Sequence, residues 1–127
     1  MEAKQPLQAV REAAAKYAGL EVLVLFGSRA RGDAIEGSDW DFGYLASSQF
    51  DPPALLGDLV LALGTDDVDL VDLSSASGLL RYRAARDGRL VWGHPRTFER
   101  FWLEAVDFWC DTEPILRSAY QAVLAEL

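Results

Sequence analysis

With 127 residues, half of them apolar, the chain has enough material for one compact core and too little for two full domains. Twelve basic residues against twenty acidic ones leave a formal charge of −8, which argues against stable binding to long nucleic acid, because that affinity comes from cations that neutralise phosphates. One cysteine and one histidine exclude an internal disulfide and a zinc site, so any metal chemistry must rest on carboxylates and hard ions such as magnesium or manganese.

The opening stretch, MEAKQPLQAVREAAAKYAG, is charged and amphipathic and has no signal-peptide core. No run approaches the roughly 18 apolar residues of a membrane helix. A cytoplasmic protein with no membrane contact is expected. Leu7, Val10, Ala14 and Tyr17 recur at helical spacing, with Gly19 as a stop. EVLVLF, residues 21–26, is a short apolar run ending in glycine and predicts a buried strand. A short helical turn is expected from Ser28. DWDFGYLA, residues 39–46, alternates: Asp39, Asp41 and Gly43 share one face, and Trp40, Phe42 and Tyr44 the other.

Asp51 and two prolines introduce a helix over 53–63, which Gly64 ends. DDVDLVDL, residues 66–73, predicts a third strand with Asp67, Asp69 and Val71 on one face and Val68 and Leu70 on the other. Residues 76–86 read as a helix that turns through Asp87 and Gly88 into a brief RLVW strand. From Pro95 a helix carries a wide apolar stripe of Phe98, Phe101, Trp102, Ala105, Val106 and Trp109. Phe108 lies off that stripe and is read as a stray ring beside the core, with a partner or dimer surface as the alternative. Cys110, among aromatics, is expected to be a buried small hydrophobe, and His94 a surface imidazole. Thr112 and Pro114 predict a restart into a last helix bearing Leu116, Ala119, Tyr120, Val123 and Leu127. The expected organisation is one α+β (α/β) unit, a core over 1–94 and a helical extension over 95–127 packed on it.

The chemistry concentrates in FGSRARGDAIEGSDWDFGY. Gly27 and Ser28 close a strand and open a helical turn, where free amides and the helix dipole favour an anion. Glycine lets a ligand approach the backbone, and the Ser28 hydroxyl either donates to a phosphate or caps the turn. Asp39 and Asp41 lie on one face of one strand, close enough to share divalent cations that would otherwise be replaced by a proton. A neighbouring strand should add a third carboxylate. Asp69 is favoured over Asp72 because its face is opposite the apolar Val68 and Leu70. Its role would be to ligate metal and accept the proton of an attacking hydroxyl. Arg29 and Arg31 are placed either to neutralise a triphosphate or to pair with loop carboxylates.

Gly27-Ser28, ten residues, then Asp39-Trp-Asp41 resembles the GSx10DxD signature of the DNA polymerase β-like nucleotidyltransferase superfamily. The wider run through DDVDLVDL and LLRYRAARDGRLVW is similar to its minimal nucleotidyltransferase (MNT) branch. The resemblance implies a small mixed β-sheet with helices packed mainly on one face. It places nucleotide at Gly27 and Ser28; Arg29, Arg31 and Ser38, in the same loop, are the further nucleotide-binding candidates. It also puts magnesium, two ions or manganese in their place, on Asp39, Asp41 and Asp69. Many members resemble antitoxins paired with a HEPN-type toxin. By that analogy the donor is ATP, the acceptor a toxin tyrosine and the product AMPylated protein. The rival readings are an antitoxin that acts by contact alone, and a nucleotidyltransferase for a small molecule or a nucleic-acid 3′ end. Self-association stays open.

Overall fold

A computed structural model describes residues 4–47 and 49–125. In chain order they form α1 (Lys4–Ala14), β1 (Leu20–Phe26), α2 (Ser28–Arg31), β2 (Trp40–Ala46), α3 (Pro52–Leu63), β3 (Val68–Asp72), α4 (Gly78–Asp87), β4 (Arg89–Gly93) and α5 (Pro95–Ala125). Each element expected over the first 94 residues is present, with most ends displaced by a residue or two; α1 stops earlier than expected, at Ala14, and leaves Tyr17 beyond it.

The sheet is mixed, in the order β3-β2-β1-β4. β1 runs antiparallel to both β2 and β4, and β2 runs parallel to β3. β1 is apolar on both faces because both are covered, as a near-continuous hydrophobic run requires. Leu23 and Leu25 meet Val10 and Ala14 of α1 and Leu55 and Leu59 of α3. Val22, Val24 and Phe26 point the other way, onto Ala84 and Ala85 of α4 and Phe101 and Ala105 of α5. Helices thus lie on both faces, α1 and α3 on one, α4 and α5 on the other. Burying each large apolar side chain contributes about 1.5–3 kcal/mol, so the strand that carries most of them becomes the centre.

Local signals end the helices as expected. The Asp51 side chain accepts from the Ala54 amide at 3.3 Å, and Gly64 closes α3 in a left-handed conformation. Ser77 caps α4 by accepting from the Leu80 amide. His94, exposed as expected, accepts from the Arg96 amide at Nδ1 over 3.2 Å and so caps α5.

Two expectations are corrected in the last third. The restart at Thr112 and Pro114 does not occur, and α5 continues as one helix of 31 residues. A single interior proline removes one backbone hydrogen bond, and here that does not end the helix. Cys110 is exposed rather than buried, because it lies on the outer face of α5, about half a turn round from the buried Phe101, while its neighbour Trp109 still stacks on Tyr82 of α4. Leu116, Ala119, Tyr120, Val123 and Leu127 lie outside the residues whose side chains are described. No helix among the described residues is long and apolar enough to cross a membrane.

Tyr17, just beyond α1, donates a hydrogen bond to Asp58 of α3 and meets the edge of Phe50, ring centroids 5.8 Å apart. Burial first, then the Asp58 carboxylate, pushes its hydroxyl up from 10.0 to about 12. The folded value lies above the unfolded one. The proton's contribution to stability is therefore complete below pH 10 and is lost as pH rises through about 12. A spectrophotometric titration of the folded protein should show a tyrosinate step near that upper value, and Tyr17→Phe should remove it. A Tyr17→Phe variant that keeps the late step at full amplitude and loses an earlier one would show that Tyr17 is not the late-ionising group.

Candidate active site

β1 delivers the chain to a sharp turn at Gly27, whose φ of 76° lies in the left-handed region that favours glycine. No side chain caps α2, so the Ser28 hydroxyl is not the cap. The Ala30 and Arg31 amides both donate to the Gly27 carbonyl at 3.1 Å. The amides ahead of them have no intrahelical partner, and Gly27 and Ser28 face a pocket of about 720 Å³.

β2 brings the acidic side. Asp41 pairs in register with Phe26, so its carboxylate rises beside the turn. A Cβ on residue 27 would collide with Asp41 Oδ2. Glycine is therefore needed there for the carboxylate as well as for the backbone angle. Trp40, Phe42 and Tyr44 pack towards α1 and α3, which turns Asp41 and Gly43 to the opposite face. Asp39 sits one residue before the strand, exposed, on the pocket wall with Asp41.

β3 brings Asp69 directly beside Asp41 in the parallel ladder, and neighbours in register share a face. Asp72 instead lies beside Tyr44, and its Oδ1 accepts from the Ser74 amide at 2.9 Å and the Ser74 hydroxyl at 2.6 Å. The Asp41 carboxyl is raised above its ordinary value by burial first, then by the Asp69 and Asp39 carboxylates, with Arg31 opposing. Asp41 thus senses two neighbouring carboxylates. Among the described residues no three His, Cys, Asp or Glu side chains close around an ion position; Asp41 and Asp69 are in register, and Asp39 precedes the strand.

The two loop arginines have different surroundings. Arg29 turns away from the pocket, donating from Nε and Nη2 to the Ser38 carbonyl at 3.1 and 2.7 Å, with its guanidinium 4.3 Å from the centre of the Trp40 ring. It staples the 32–39 loop to the start of β2. Ser38 lines the pocket, but its hydroxyl accepts from the Ile35 amide at 2.9 Å. Arg31 does face the pocket, paired with Asp33 at 3.3 Å and with Asp87 at 3.1 Å.

Leu80, Arg83, Arg86 and Asp87 complete the wall and are missing from the sequence-based site. The signal for them was present: Leu80, Arg83 and Arg86 recur every three residues in LLRYRAARDG, one face of a helix. Nothing in the sequence alone says that this face looks at Gly27.

The geometry has relatives. The family model for polymerase beta nucleotidyltransferases matches residues 8–97. The chain belongs to this family. Among curated proteins, this nucleotidyltransferase is 34% identical over 96 residues to protein adenylyltransferase MntA of Aphanizomenon flos-aquae, covering 65% of this chain and 63% of that protein. It is 36% identical over 93 residues to MntA of Shewanella oneidensis, covering 71% of this chain and 66% of the relative. The match thus spans a little under two thirds of each relative's length. Among solved structures, a toxin-antitoxin with AMP-PNP superposes with a TM-score of 0.78 at 27% identity, covering 93% of this chain and 98% of that one. A tri-AMPylated Shewanella oneidensis HEPN toxin in complex with MNT antitoxin gives 0.73 at 25% identity, covering 94% and 96%.

The Arg29 staple predicts a local effect. Arg29→Ala gives up two hydrogen bonds and the ring contact, about 1–2 kcal/mol of local stability. Amide exchange across 32–39 should then accelerate roughly tenfold, with α1 and α3 unaffected. Arg29→Lys should restore only part, because an ammonium lacks the planar fork. Unchanged exchange in Arg29→Ala would mean that the loop is held by other contacts.

Proposed function

We propose that this nucleotidyltransferase moves AMP from ATP to a protein hydroxyl, a tyrosine of a HEPN-type toxin, and does so with magnesium at Asp39, Asp41 and Asp69. The single observation that carries the reading is the pocket in which the Gly27-Ser28 turn meets Asp39 and Asp41, with Asp69 in register beside Asp41. Support for the donor and acceptor comes from the relatives. Both curated ones are named protein adenylyltransferase, and the similar structures hold AMP-PNP in one case and an AMPylated HEPN toxin in another.

The donor set fits the metal. Three carboxylates with hard oxygens lie at one edge of the sheet, and the Asp69 and Asp39 carboxylates disfavour the charge of Asp41, a tension that a divalent cation relieves. Magnesium bound there, as one ion or two, would lower the pKa of the attacking hydroxyl and offset charge on the phosphoryl oxygens; manganese would meet the same need. The protein's own residues do the rest. Asp69 takes the proton of the acceptor hydroxyl. The oxygen so freed bonds to the α-phosphorus as its bond to the β-phosphate bridge breaks, and pyrophosphate leaves. The Gly27 and Ser28 amides, the Ser28 hydroxyl and Arg31 hold the departing phosphates. Arg29 acts at one remove, by fixing the loop that carries Ser38 and Asp39. Trp102, Leu103 and Phe108, exposed along α5, give a protein partner an apolar surface to cover.

With ATP labelled at the α-phosphate, magnesium and a HEPN-type partner, label should move to the partner. Asp41→Asn and Asp39→Asn should each reduce transfer about a thousandfold, the equivalent of several kcal/mol of lost charge stabilisation, with the fold retained. Either variant turning over at the wild-type rate would refute the metal assignment. A double variant that still neutralises the partner at equal dose would favour action by contact.

The third carboxylate has its own test. Asp69→Asn should fall by a similar factor, whereas Asp72→Asn, whose amide oxygen can still accept from Ser74, should keep turnover within about twofold. The reverse ranking would reassign the role to Asp72.

A further inference from the structure

We infer that Asp87 is a positioning residue that gathers Arg31 and Arg86 into a polyphosphate clamp, so that the pocket prefers nucleoside triphosphates to monophosphates. This rests on the nucleotide reading proposed above and specifies which residues set the length of the phosphate chain.

Asp87 is the last residue of α4, and its side chain is 9% exposed. Its carboxylate receives Arg86 Nε at 3.0 Å, Arg86 Nη2 at 3.1 Å and Arg31 Nη1 at 3.1 Å. Paired this way, it is held below the ordinary carboxylate range, by Arg86 first and with burial opposing. Arg31 and Arg86 are partly exposed, with side chains 43% and 50% exposed. Two like charges at that spacing repel, and long side chains lose freedom when fixed. The carboxylate between them answers both costs.

The clamp leaves donors to spare. A guanidinium carries five N–H groups. Those of Arg86 directed at Asp87 and those of Arg31 shared between Asp33 and Asp87 account for only part of them. Arg83 lines the same wall and forms no ion pair with a carboxylate among the described residues. Arg86 is braced from behind by the Tyr82 ring, 5.7 Å away, itself stacked on Trp109 of α5 at 5.0 Å and 18°. The pocket therefore has two unlike sides, carboxylates from β2 and arginines from α2 and α4. A monophosphate is served by the Gly27-Ser28 turn and the acidic side. Further phosphates give the arginines something to hold.

The test compares binding of a non-hydrolysable ATP analogue and of AMP to the purified chain, with magnesium, by calorimetry. Asp87→Asn should weaken the ATP analogue about tenfold or more and leave AMP within about twofold. Arg86→Gln and Arg31→Gln should do the same, and Asp87→Glu should recover part. Because AMP serves as an internal control for folding, a loss shared equally by both ligands would overturn the clamp and leave Asp87 a structural residue. Unchanged or tighter binding of the ATP analogue in Asp87→Asn would overturn it differently, making the carboxylate a competitor of the phosphates. Should Asp87→Asn not fold, the arginine variants decide on the same criterion. A wild type that binds neither nucleotide would remove the nucleotide reading and the clamp together.

Discussion

The Asp41 carboxylate occupies the space that a side chain on residue 27 would need, and the rest of the site is arranged around that close approach. It fixes glycine at the turn, and with it the left-handed angle that swings the chain from β1 into α2. The approach is set by register: β1 and β2 pair so that Phe26 faces Asp41. A shift of one position would carry the aspartates to the face of α1 and α3. Register is in turn held by packing, since Phe42 and Tyr44 are buried against that same pair of helices. The acidic edge is thus a consequence of where the aromatic residues are buried.

Charge is divided across the pocket. Asp39 and Asp41 line one side, with Asp69 of β3 in register beside Asp41, and guanidiniums from α2 and α4 line the other. For a chain with a formal charge of −8 this local separation matters more than the total. A polyanion is repelled by the whole and must be received by a small set of fixed donors, with cations to screen the carboxylates. An acceptor hydroxyl, being neutral, meets no such barrier on the acidic side.

Much of this was legible in the sequence, and the reasons are specific. Period-two alternation in DWDFGYLA has only one way to bury its aromatics, so the facing of Asp41 followed. The preference for Asp69 over Asp72 rested on the same alternation in β3, and the two carboxylates do sit in unlike places, one beside Asp41 and one closing a turn with Ser74. The Arg29 contacts were not legible. Its partners are a backbone carbonyl and a ring face, neither of which leaves a mark in residue type. The arginines of α4 were missed for a different reason: their spacing showed a face but not what it faced, since that depends on how β1 and β4 bring the ends of the chain together. Cys110 and the continuous α5 went against expectation because apolar neighbours and a proline are local cues, whereas burial is decided by which face of the helix meets the domain: Trp109 does and Cys110 does not.

The position of β4 beside β1 has a consequence in time. The Arg31–Asp87 contact joins residues 56 positions apart, and the Arg11 side chain reaches a β4 carbonyl across 80. Contacts of that span close large loops before they return any stability, and they are slow to form. The Gly27 turn and the β2 carboxylates need β1, β2 and the α1 and α3 helices that hold their register, all within the first half of the chain. The α4 arginines must wait for α4 and β4 to dock. The acidic edge of β2 is thus built from the first half of the chain, and the α4 arginines that face it from the second.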